Sequence, residues 1–272
     1  MLKHISLIIR HETELPKRIG EAVQELFRKY GISVTEGQIS PQTEAIVVLG
    51  GDGTLLHVAG KAYRLGIPLL GINLGGLGFL TEIHMDEMEQ ALDSLISGTL
   101  EMDRRAILSV TVKVPDSKSS TYYALNEAVI SKGPLGKIIT LSTWADTSFL
   151  TTYRGDGLIV STATGSTAYN LSAGGPILHP GIKGFILTPI CPFALNARPL
   201  ILPSHMKVAI QIKNASEKIN LIVDGRAGQE LSEGDWVEVQ KAKGYLKLIR
   251  SPLRDYFTIL REKLGWAKGV WI

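Results

Sequence analysis

The chain has 272 residues, which is enough for one large domain or two smaller ones. Its content of 44% hydrophobic and 20% charged residues excludes a disordered protein. A net charge of +3 is too small to indicate a nucleic-acid or membrane partner, and the single cysteine, Cys191, excludes an intrachain disulfide. No apolar run approaches the ~18 residues of a membrane span. We therefore expect a cytoplasmic protein.

The first 99 residues predict alternating strands and helices. The predicted strands are 5–9, 45–49 and 68–72, and the predicted helices are 19–30, 54–65 and 88–96. Such alternation implies a parallel sheet with helices on its faces. Ligands of these sheets bind beyond the carboxyl ends of the strands, so the segments that follow each strand are the first candidates for a site.

A glycine turn, Gly50-Gly51-Asp52-Gly53-Thr54, follows the strand 45–49. Glycine lets the backbone approach a ligand closely, and the N–H groups of such a turn favour phosphate. A carboxylate does not help phosphate to bind, so Asp52 indicates a base or a metal ligand. The alternative is a tight turn without a ligand. His57 is either a phosphate contact or an ordinary helix-face histidine.

A second glycine-rich turn, residues 73–79, follows the strand 68–72 and contains Gly75, Gly76 and Gly78. Taken alone, this pattern is as typical of a connector as of a binding loop. Its place at the end of a second strand favours the binding loop, since both turns then lie at the same edge of the sheet.

Beyond residue 100 the pattern changes to that of an antiparallel β domain. Apolar residues alternate over 106–114, and further strands are predicted over 138–144, 157–161, 206–212, 219–223, 236–240 and 245–250. One helix is predicted to interrupt the strands at 166–172. A last helix, 252–264, is predicted to pack on the first domain.

Two polar segments of this β region are candidate binding residues. Asn126 and Glu127 would point to opposite faces of a strand, so one of them could reach a ligand; a solvated turn is the alternative. Residues 153–175 are rich in glycine and hydroxyl groups and include Tyr169, which could stack on a base. This composition is typical of a nucleoside pocket, or of an ordinary Ser/Thr-rich loop. The sequence has no Walker A motif and no histidine spacing typical of a zinc site.

The order and spacing of these segments resemble those of the NAD kinase family in its bacterial form, whose phosphoryl donor is ATP or polyphosphate. One departure is Ala163, where the family usually has proline. The matching segments are 50–54, 74–80, 124–127, 154–157 continuing to 172, 174–180 and 223–225.

The resemblance implies an α/β plus β fold. A Rossmann-like domain, 1–99, would be joined by the C-terminal helix 252–272, and a β-sandwich domain, 100–251, would form much of the NAD site. The implied reaction moves the γ-phosphoryl of ATP to the 2′-hydroxyl of the adenosine ribose of NAD and gives NADP. A divalent cation such as Mg²⁺ and a homodimer or homotetramer, with a neighbouring subunit contributing to the NAD site, are also implied.

The resemblance further assigns roles to individual residues, with Asp52 as the base that takes the ribose proton. No metal ligand is identified. The residues that match NAD-binding positions are Asp52, Gly53, Phe79, Asn126, Glu127, Asp156, Thr164, Thr167, Ala168, Tyr169 and Ser172. Those assigned to ATP or its phosphates are Gly50, Gly51, Gly53, Thr54, His57, Gly75, Gly76 and Gly78.

Two alternatives stay open on the sequence. A lipid kinase of the diacylglycerol or sphingosine type would carry its Asn-Glu pair almost directly after the glycine turn. Here the pair, Asn126 and Glu127, lies far beyond that turn in the sequence. A non-catalytic NAD sensor on the same scaffold would have no need of a carboxylate facing phosphates, and Asp52 disfavours it.

Overall fold

The computed structural model describes residues 2–10, 14–99, 101–115, 117–133, 136–214, 218–251 and 253–266. The chain divides into two compact units: Met1–Arg104 with Leu246–Ile272, and Arg105–Tyr245. Across the described residues, no helix has both the length and the apolar character that a membrane crossing requires.

The first unit begins with alternating strands and helices, as predicted. Its strands are β1 (His4–Ile9), β2 (Ser33–Glu36), β3 (Ala45–Leu49), β4 (Leu69–Asn73), β5 (Ile83–His84) and β6 (Met102–Arg105). Its helices are α1 (Glu14–Lys29), α2 (Asp52–Leu65) and α3 (Met88–Ser97), with a 3₁₀ turn at Met85–Glu87. Helix α2 starts two residues earlier than predicted, which makes Asp52 its first residue.

The second unit is built from antiparallel strands. They are β7 (Leu108–Lys113), β8 (Ser120–Ala124), β9 (Glu127–Lys132), β10 (Ile139–Ala145), β11 (Ser148–Gly155), β12 (Gly157–Thr162), β13 (Gly184–Ile190), β14 (Leu200–Pro203), β15 (Val208–Asn214), β16 (Ile219–Val223), β17 (Arg226–Leu231) and β18 (Trp236–Lys241). Between β12 and β13 the chain forms a 3₁₀ turn (Thr164–Thr167) and a single helical turn, α4 (Tyr169–Ser172). The one helix predicted over 166–172 is therefore wrong, because the backbone leaves helical geometry at Ala168 (φ −96°, ψ −133°).

Two six-stranded sheets enclose one apolar core in this unit. Their strand orders are β11-β10-β15-β18-β7-β8 and β14-β13-β12-β9-β16-β17. Buried side chains of both sheets, among them Val110 and Ile210 of the first and Ile130 and Leu158 of the second, belong to a single cluster. The predicted sandwich of antiparallel sheets is confirmed, since each sheet buries one face against the other.

The chain then returns to the first unit with β19 (Leu246–Ile249) and α5 (Tyr256–Leu264). The sheet of that unit has the order β2-β1-β3-β4-β19-β6, with β5 beside β4. Strand β19 pairs in parallel with β4, so the prediction that 245–250 belongs to the β domain is wrong. A short apolar run does not reveal which sheet it joins. Of the predicted C-terminal helix, residues 252 and 267–272 lie outside the described residues.

Candidate active site

Asp52 lies where the sequence analysis expected a reactive group, directly beyond the carboxyl end of the buried strand β3. As the first residue of α2, it has its negative charge at the positive end of the helix dipole. Its Oδ2 accepts the Phe79 N–H at 2.9 Å. Its Oδ1 accepts the N–H groups of Leu80 and Thr81 at 3.1 and 3.0 Å and the Thr81 hydroxyl at 2.9 Å. The carboxylate is therefore fixed by four hydrogen bonds from residues 79–81, at the end of the second glycine turn and directly after it.

Gly78 is the residue that lets this turn come so close. A Cβ atom at position 78 would lie 2.8 Å from Asp52 Cγ and would also overlap both Asp52 Oδ1 and the Thr81 hydroxyl. Only glycine leaves room there for the carboxylate. The pairing of the two glycine turns, inferred from their positions at neighbouring strand ends, thus has a direct steric basis.

Two further side chains of this network were missed by the sequence analysis. Asn73, the last residue of β4, donates through Nδ2 to Thr81 Oγ1 at 2.8 Å, and its Oδ1 accepts the Gly75 N–H at 2.8 Å. Thr81 had no predicted role. The available signal was Asn73 itself, a polar residue that ends an otherwise apolar buried strand.

The predicted site residues of the first unit, with the exception of Phe79, line two cavities that share Arg10 and Gly51. One of about 540 Å³ is lined by Gly50, Gly51 and Asp52 of the first glycine turn, by residues 73–78 of the second, and by Arg10 and Lys263. The other, about 690 Å³, contains Gly53, Thr54 and His57 together with Arg10 and Lys61. Thr54 and His57 therefore do not share a cavity with the Asp52 carboxylate, although Arg10 and Gly51 border both spaces.

Several of the amides expected to hold phosphate are engaged within the turns themselves. The Thr54 N–H donates to the Gly51 carbonyl at 3.0 Å, and the Gly78 N–H donates to the Thr81 carbonyl at 3.3 Å. The Gly75 N–H is taken by Asn73. A phosphate at Gly75 or Gly78 would have to exchange these hydrogen bonds, whereas the cations Arg10 and Lys263 already line the cavity.

Phe79 is half-buried, and its ring lies 5.9 Å from the ammonium of Lys263 in α5. This cation–π contact joins the C-terminal helix to the turn that holds Asp52.

In the second unit, Asp224 organises the segment that precedes β9. Its carboxylate accepts the N–H groups of Leu125, Asn126 and Glu127 at 2.7, 2.7 and 3.1 Å. Asn126 lies in a bend and only Glu127 is on the strand, so the prediction that both occupy one strand is wrong. Asp224 lies in the matching segment 223–225 but had no predicted role.

Glu127 and Asn126 each carry a buried side-chain oxygen, Oε2 and Oδ1 respectively, that has no hydrogen-bond partner. Burial raises the pKa of Glu127 to about 8, and the nearby charge of Asp224 adds to this effect. Burial also raises the pKa of Asp224 to about 6, although its three backbone donors oppose the change. Unpaired buried acceptors are costly unless a ligand supplies donors. The two unpaired oxygens therefore make Asn126 and Glu127 a candidate site for a ligand that carries hydroxyl or amino groups.

The glycine- and hydroxyl-rich segment folds back against Asn126. The backbone of Gly165 lies so close that a Cβ atom there would sit 2.6 Å from Asn126 Cα. The Thr162 hydroxyl donates to the Leu125 carbonyl at 2.6 Å and accepts the Gly165 N–H at 3.0 Å. Thr164 is buried beside this contact, whereas Tyr169 and Ser172 are exposed and Thr167 and Ala168 are intermediate.

Asn170, which had no predicted role, holds that segment together. It is fully buried, donates to the carbonyls of Ser166 and Pro176 at 3.0 and 3.1 Å, and accepts the Thr188 hydroxyl at 2.6 Å. The side chain of Asn170 thus forms its hydrogen bonds in the interior, whereas the neighbouring Tyr169 is 46% exposed. Its ring is thus available for stacking.

Asp156 is the predicted residue that the fold does not bring to this cluster. It precedes β12 and forms an ion pair with Lys132 at 2.8 Å. In the register of β12 and β9, Gly157 pairs with Ser131 and Ser161 with Glu127. Asp156 therefore lies at the opposite end of β12, roughly 17 Å from Glu127 at the usual rise per residue of a strand.

Comparison with known proteins finds the same two-part organisation. Residues 9–100 match the ATP-NAD kinase N-terminal domain, and residues 125–251 match the ATP-NAD kinase C-terminal domain. A NAD kinase of Syntrophotalea carbinolica is 42% identical over 94% of this chain and 87% of its own length. A NAD kinase of Syntrophobacter fumaroxidans is 40% identical over 98% of this chain and 100% of its own length.

Solved structures with the same fold include ligand complexes. Yeast NADH kinase complexed with NADH superposes with a TM-score of 0.89 and 26% identity, covering 100% of this chain and 89% of the yeast chain. A NAD kinase from Archaeoglobus fulgidus in complex with ATP gives a TM-score of 0.76 at 26% identity, covering 95% of this chain and 99% of that one. Because both domain descriptions and relatives above 40% identity span nearly the whole sequence, the chain belongs to the NAD kinase family.

Proposed function

We propose that this chain is a NAD kinase that transfers the γ-phosphoryl group of ATP to the 2′-hydroxyl of the adenosine ribose of NAD, giving NADP. One observation carries the proposal: the Asp52 carboxylate is held by four hydrogen bonds in a cavity that also contains the glycine turns and two cations, Arg10 and Lys263. A sensor would have no use for a fixed carboxylate beside a phosphate site.

In this proposal Asp52 is the general base. A ribose hydroxyl is a poor nucleophile at neutral pH, so a carboxylate must orient it and accept its proton. The new P–O bond forms as the bond between the γ-phosphorus and the bridging oxygen breaks, and ADP leaves with the electron pair of that bond. Arg10 and Lys263 would offset the phosphate charge, because phosphoryl transfer depends mostly on positioning and charge neutralisation.

NAD would be recognised by the second unit. The unpaired oxygens of Asn126 and Glu127 accept hydrogen bonds from ribose hydroxyls or the adenine amino group. At neutral pH the raised pKa of Glu127 leaves that carboxyl mostly protonated, so it can also donate to the ligand. Thr164, Thr167, Ala168 and Ser172 would line the same pocket, and Tyr169 would stack on a base.

The ATP donor would enter through the cavity of about 690 Å³ that contains Thr54 and His57, whose size and basic lining (Arg10 and Lys61) suit a nucleoside triphosphate. A divalent ion such as Mg²⁺ would neutralise the phosphate charge. The described residues contain no cluster of three or more acidic, histidine or cysteine side chains. Mg²⁺ usually keeps several of its waters and binds through substrate phosphates, so in this proposal the ion arrives with ATP.

We also propose that the chain works as a homo-oligomer in the cytoplasm. The exposed apolar side chains Phe193, Leu195 and Ile201 provide surface for a second copy. The family resemblance implies that a neighbouring subunit contributes to the NAD site, and Asp156, which lies apart from the cluster in its own chain, is the candidate contribution. Light scattering after size-exclusion chromatography tests the oligomer, and an Asp156→Ala change tests the contribution.

The experiment that tests the function is direct. Purified protein is incubated with ATP, Mg²⁺ and NAD, and NADP is measured with an NADP-specific dehydrogenase; parallel reactions replace NAD by NADH, or by diacylglycerol or sphingosine vesicles. We expect NADP to accumulate and the lipids to remain unphosphorylated. Lipid phosphorylation would support the lipid kinase alternative, whereas NAD binding without any phosphorylated product would support the sensor.

A further inference from the structure

The hydrogen bonds that hold Asp52 continue through two buried side chains into the second glycine turn. Thr81 is 0% exposed and Asn73 is 4% exposed. The chain of contacts runs from the Gly75 N–H to Asn73 Oδ1, from Asn73 Nδ2 to Thr81 Oγ1, and from Thr81 Oγ1 to Asp52 Oδ1, at 2.8, 2.8 and 2.9 Å. These side chains thus connect the turn to the carboxylate by an unbroken path.

The direction of every hydrogen bond in this path follows from its first member. The Gly75 backbone N–H can only donate, so the amide atom of Asn73 that faces it must be the oxygen. The nitrogen therefore faces Thr81 and, having no acceptor capacity, donates to the hydroxyl oxygen. The single hydroxyl hydrogen of Thr81 is then left for Asp52 Oδ1.

This fixed direction makes the two oxygens of Asp52 unequal. Among the described residues, Oδ1 accepts three donors, the Leu80 and Thr81 N–H groups and the Thr81 hydroxyl, whereas Oδ2 accepts one, the Phe79 N–H. An ionised carboxylate has about two acceptor sites on each oxygen. The two N–H groups match the two acceptor sites of Oδ1 and the Thr81 hydroxyl is a third donor to the same oxygen, whereas Oδ2 keeps one site for an incoming hydroxyl.

We propose that Asn73 and Thr81 are positioning residues that fix the orientation of the Asp52 carboxylate through the hydroxyl hydrogen bond to Oδ1, and so make Oδ2 the atom that receives the ribose proton. This inference rests on the proposed function. The proton moves from the 2′-hydroxyl to Asp52 Oδ2, the electron pair of the O–H bond becomes the new bond to the γ-phosphorus, and ADP departs. Neither Asn73 nor Thr81 touches the reacting atoms; both act through Asp52.

The opposing interpretation is that Asn73 and Thr81 are simply a satisfied polar pair in the core. Such a pair would affect the free energy of unfolding but would not separate kcat from KM. The two interpretations therefore differ in which kinetic constant changes when the Thr81 hydroxyl is removed.

The first test is Thr81→Val, which keeps the shape of the side chain but removes the hydroxyl. We expect kcat to fall about 10- to 100-fold, a typical cost of a misplaced catalytic group, while the KM values for NAD and ATP change by less than about twofold. Thr81→Ser keeps the hydroxyl and should restore most of kcat. Thr43→Val, a change of the same type at another buried threonine of this unit, is the matched control for stability and should leave kcat unchanged.

The second test reverses the path without removing Thr81. In Asn73→Asp, the new carboxylate still accepts the Gly75 N–H but cannot donate to Thr81, whose hydroxyl is then drawn away from Asp52. We expect kcat to fall in the wild-type background but to fall little further when this change is added to Thr81→Val. This variant also serves if Thr81→Val does not fold.

The outcomes separate this inference from the function on which it rests. A wild-type protein that makes no NADP overturns both. A wild-type protein that makes NADP, with folded Thr81→Val or Asn73→Asp variants of unchanged kcat, overturns the positioning role alone. Additive losses in the double variant also overturn it, because they would mean that Asn73 does not act through Thr81.

Discussion

Asp52 of the first unit and Asp224 of the second hold the chain in the same way. Each carboxylate accepts hydrogen bonds from three successive backbone N–H groups: those of residues 79–81 for Asp52 and those of residues 125–127 for Asp224. The surroundings then differ. Asp52 receives a fourth donor, the Thr81 hydroxyl, whereas Asp224 lies beside Glu127 and burial raises its pKa to about 6.

The difference matches the proposed division of roles, in which Asp52 takes part in the reaction and the segment around Asp224 recognises NAD. At Asp52 the donors leave one acceptor site on Oδ2, and the carboxylate itself borders the cavity. The Asp224 carboxylate is engaged by the N–H groups of residues 125–127, and the unpaired oxygens belong to the neighbouring side chains of Asn126 and Glu127. In both units three successive backbone N–H groups bind a carboxylate. In the first unit this arrangement exposes the acid itself to the cavity, and in the second it positions the residues next to the acid.

Asp52→Asn should cause the largest effect. The amide keeps one oxygen for the backbone donors but cannot accept a proton, so we expect kcat to fall about 10²- to 10⁴-fold, the usual weight of general-base catalysis. The KM for NAD should change little. Steady-state NADP formation measures both constants, and circular dichroism checks the fold. A folded variant that retains most of its turnover would remove Asp52 from the role of base.

Asp224→Asn should give a smaller defect of a different kind. One of the two acceptor oxygens is lost, so the loop 125–127 loosens, and we expect the KM for NAD to rise roughly 10-fold with a lesser change in kcat. Asp224 has a positive φ of 48°, which asparagine also tolerates, so backbone strain does not confuse the result. If Asp52→Asn and Asp224→Asn lowered the same constant, the contrast between the two acids would be wrong.

Asp146→Asn is a matched control for that experiment. Asp146 also has a positive φ, 52°, and its carboxylate also accepts a backbone N–H, that of Lys207 at 2.9 Å. It lies outside both candidate site clusters. We expect unchanged KM values for NAD and ATP.

Tyr169→Ala tests whether the second unit recognises a base. Stacking on an aromatic ring contributes on the order of 1–3 kcal/mol, so we expect the KM for NAD to rise about 5-fold or more while that for ATP stays near its wild-type value. Tyr245→Ala removes another exposed tyrosine of the same unit and is the control. Equal changes in both KM values would argue against stacking on NAD.

The sequence predicted the parts of the fold that depend on local pattern. Strand β3 and its glycine turn were found because five apolar residues, 45–49, directly precede two glycines and an acid. The joining of β19 to β4 was not, because a four-residue strand carries no information on its distant partner. The placement of Asp156 at the far end of β12 depends on sheet register in the same way.

The candidate site divides along the same line. Asp52, Asn126 and Glu127 were named from motifs, and the role proposed for each is contact with a ligand. Asn73, Thr81, Asp224 and Asn170 hold those residues in place through contacts between separate segments of the chain. Supporting residues of this kind have no local signature, because their role exists only once the segments have been brought together.

Glu127→Gln should have the smallest effect, a change in the pH dependence of stability. Burial and the Asp224 charge raise the pKa of Glu127 from 4.5 to about 8 on folding, so the folded state binds a proton that the unfolded state has released. The contribution of Glu127 is thus fully present below pH 4.5 and is lost as the pH rises through 8. The pKa of Asp224 is raised only to about 6. Of these two acids, therefore, only Glu127 changes the stability between pH 6 and 8.

Because glutamine does not ionise, the melting temperature of Glu127→Gln should rise relative to wild type between pH 6 and 8.5, by on the order of 3 °C. Thermal denaturation at half-unit steps of pH measures this difference. Glu230→Gln is the control. Glu230 lies on β17, is more exposed than Glu127 and forms an ion pair with Lys218, so the melting temperature of this variant should run parallel to that of wild type over the same pH range. A Glu127→Gln curve that also stays parallel would mean that Glu127 is ionised in the folded protein, and that its unpaired oxygen accepts from the ligand without ever donating.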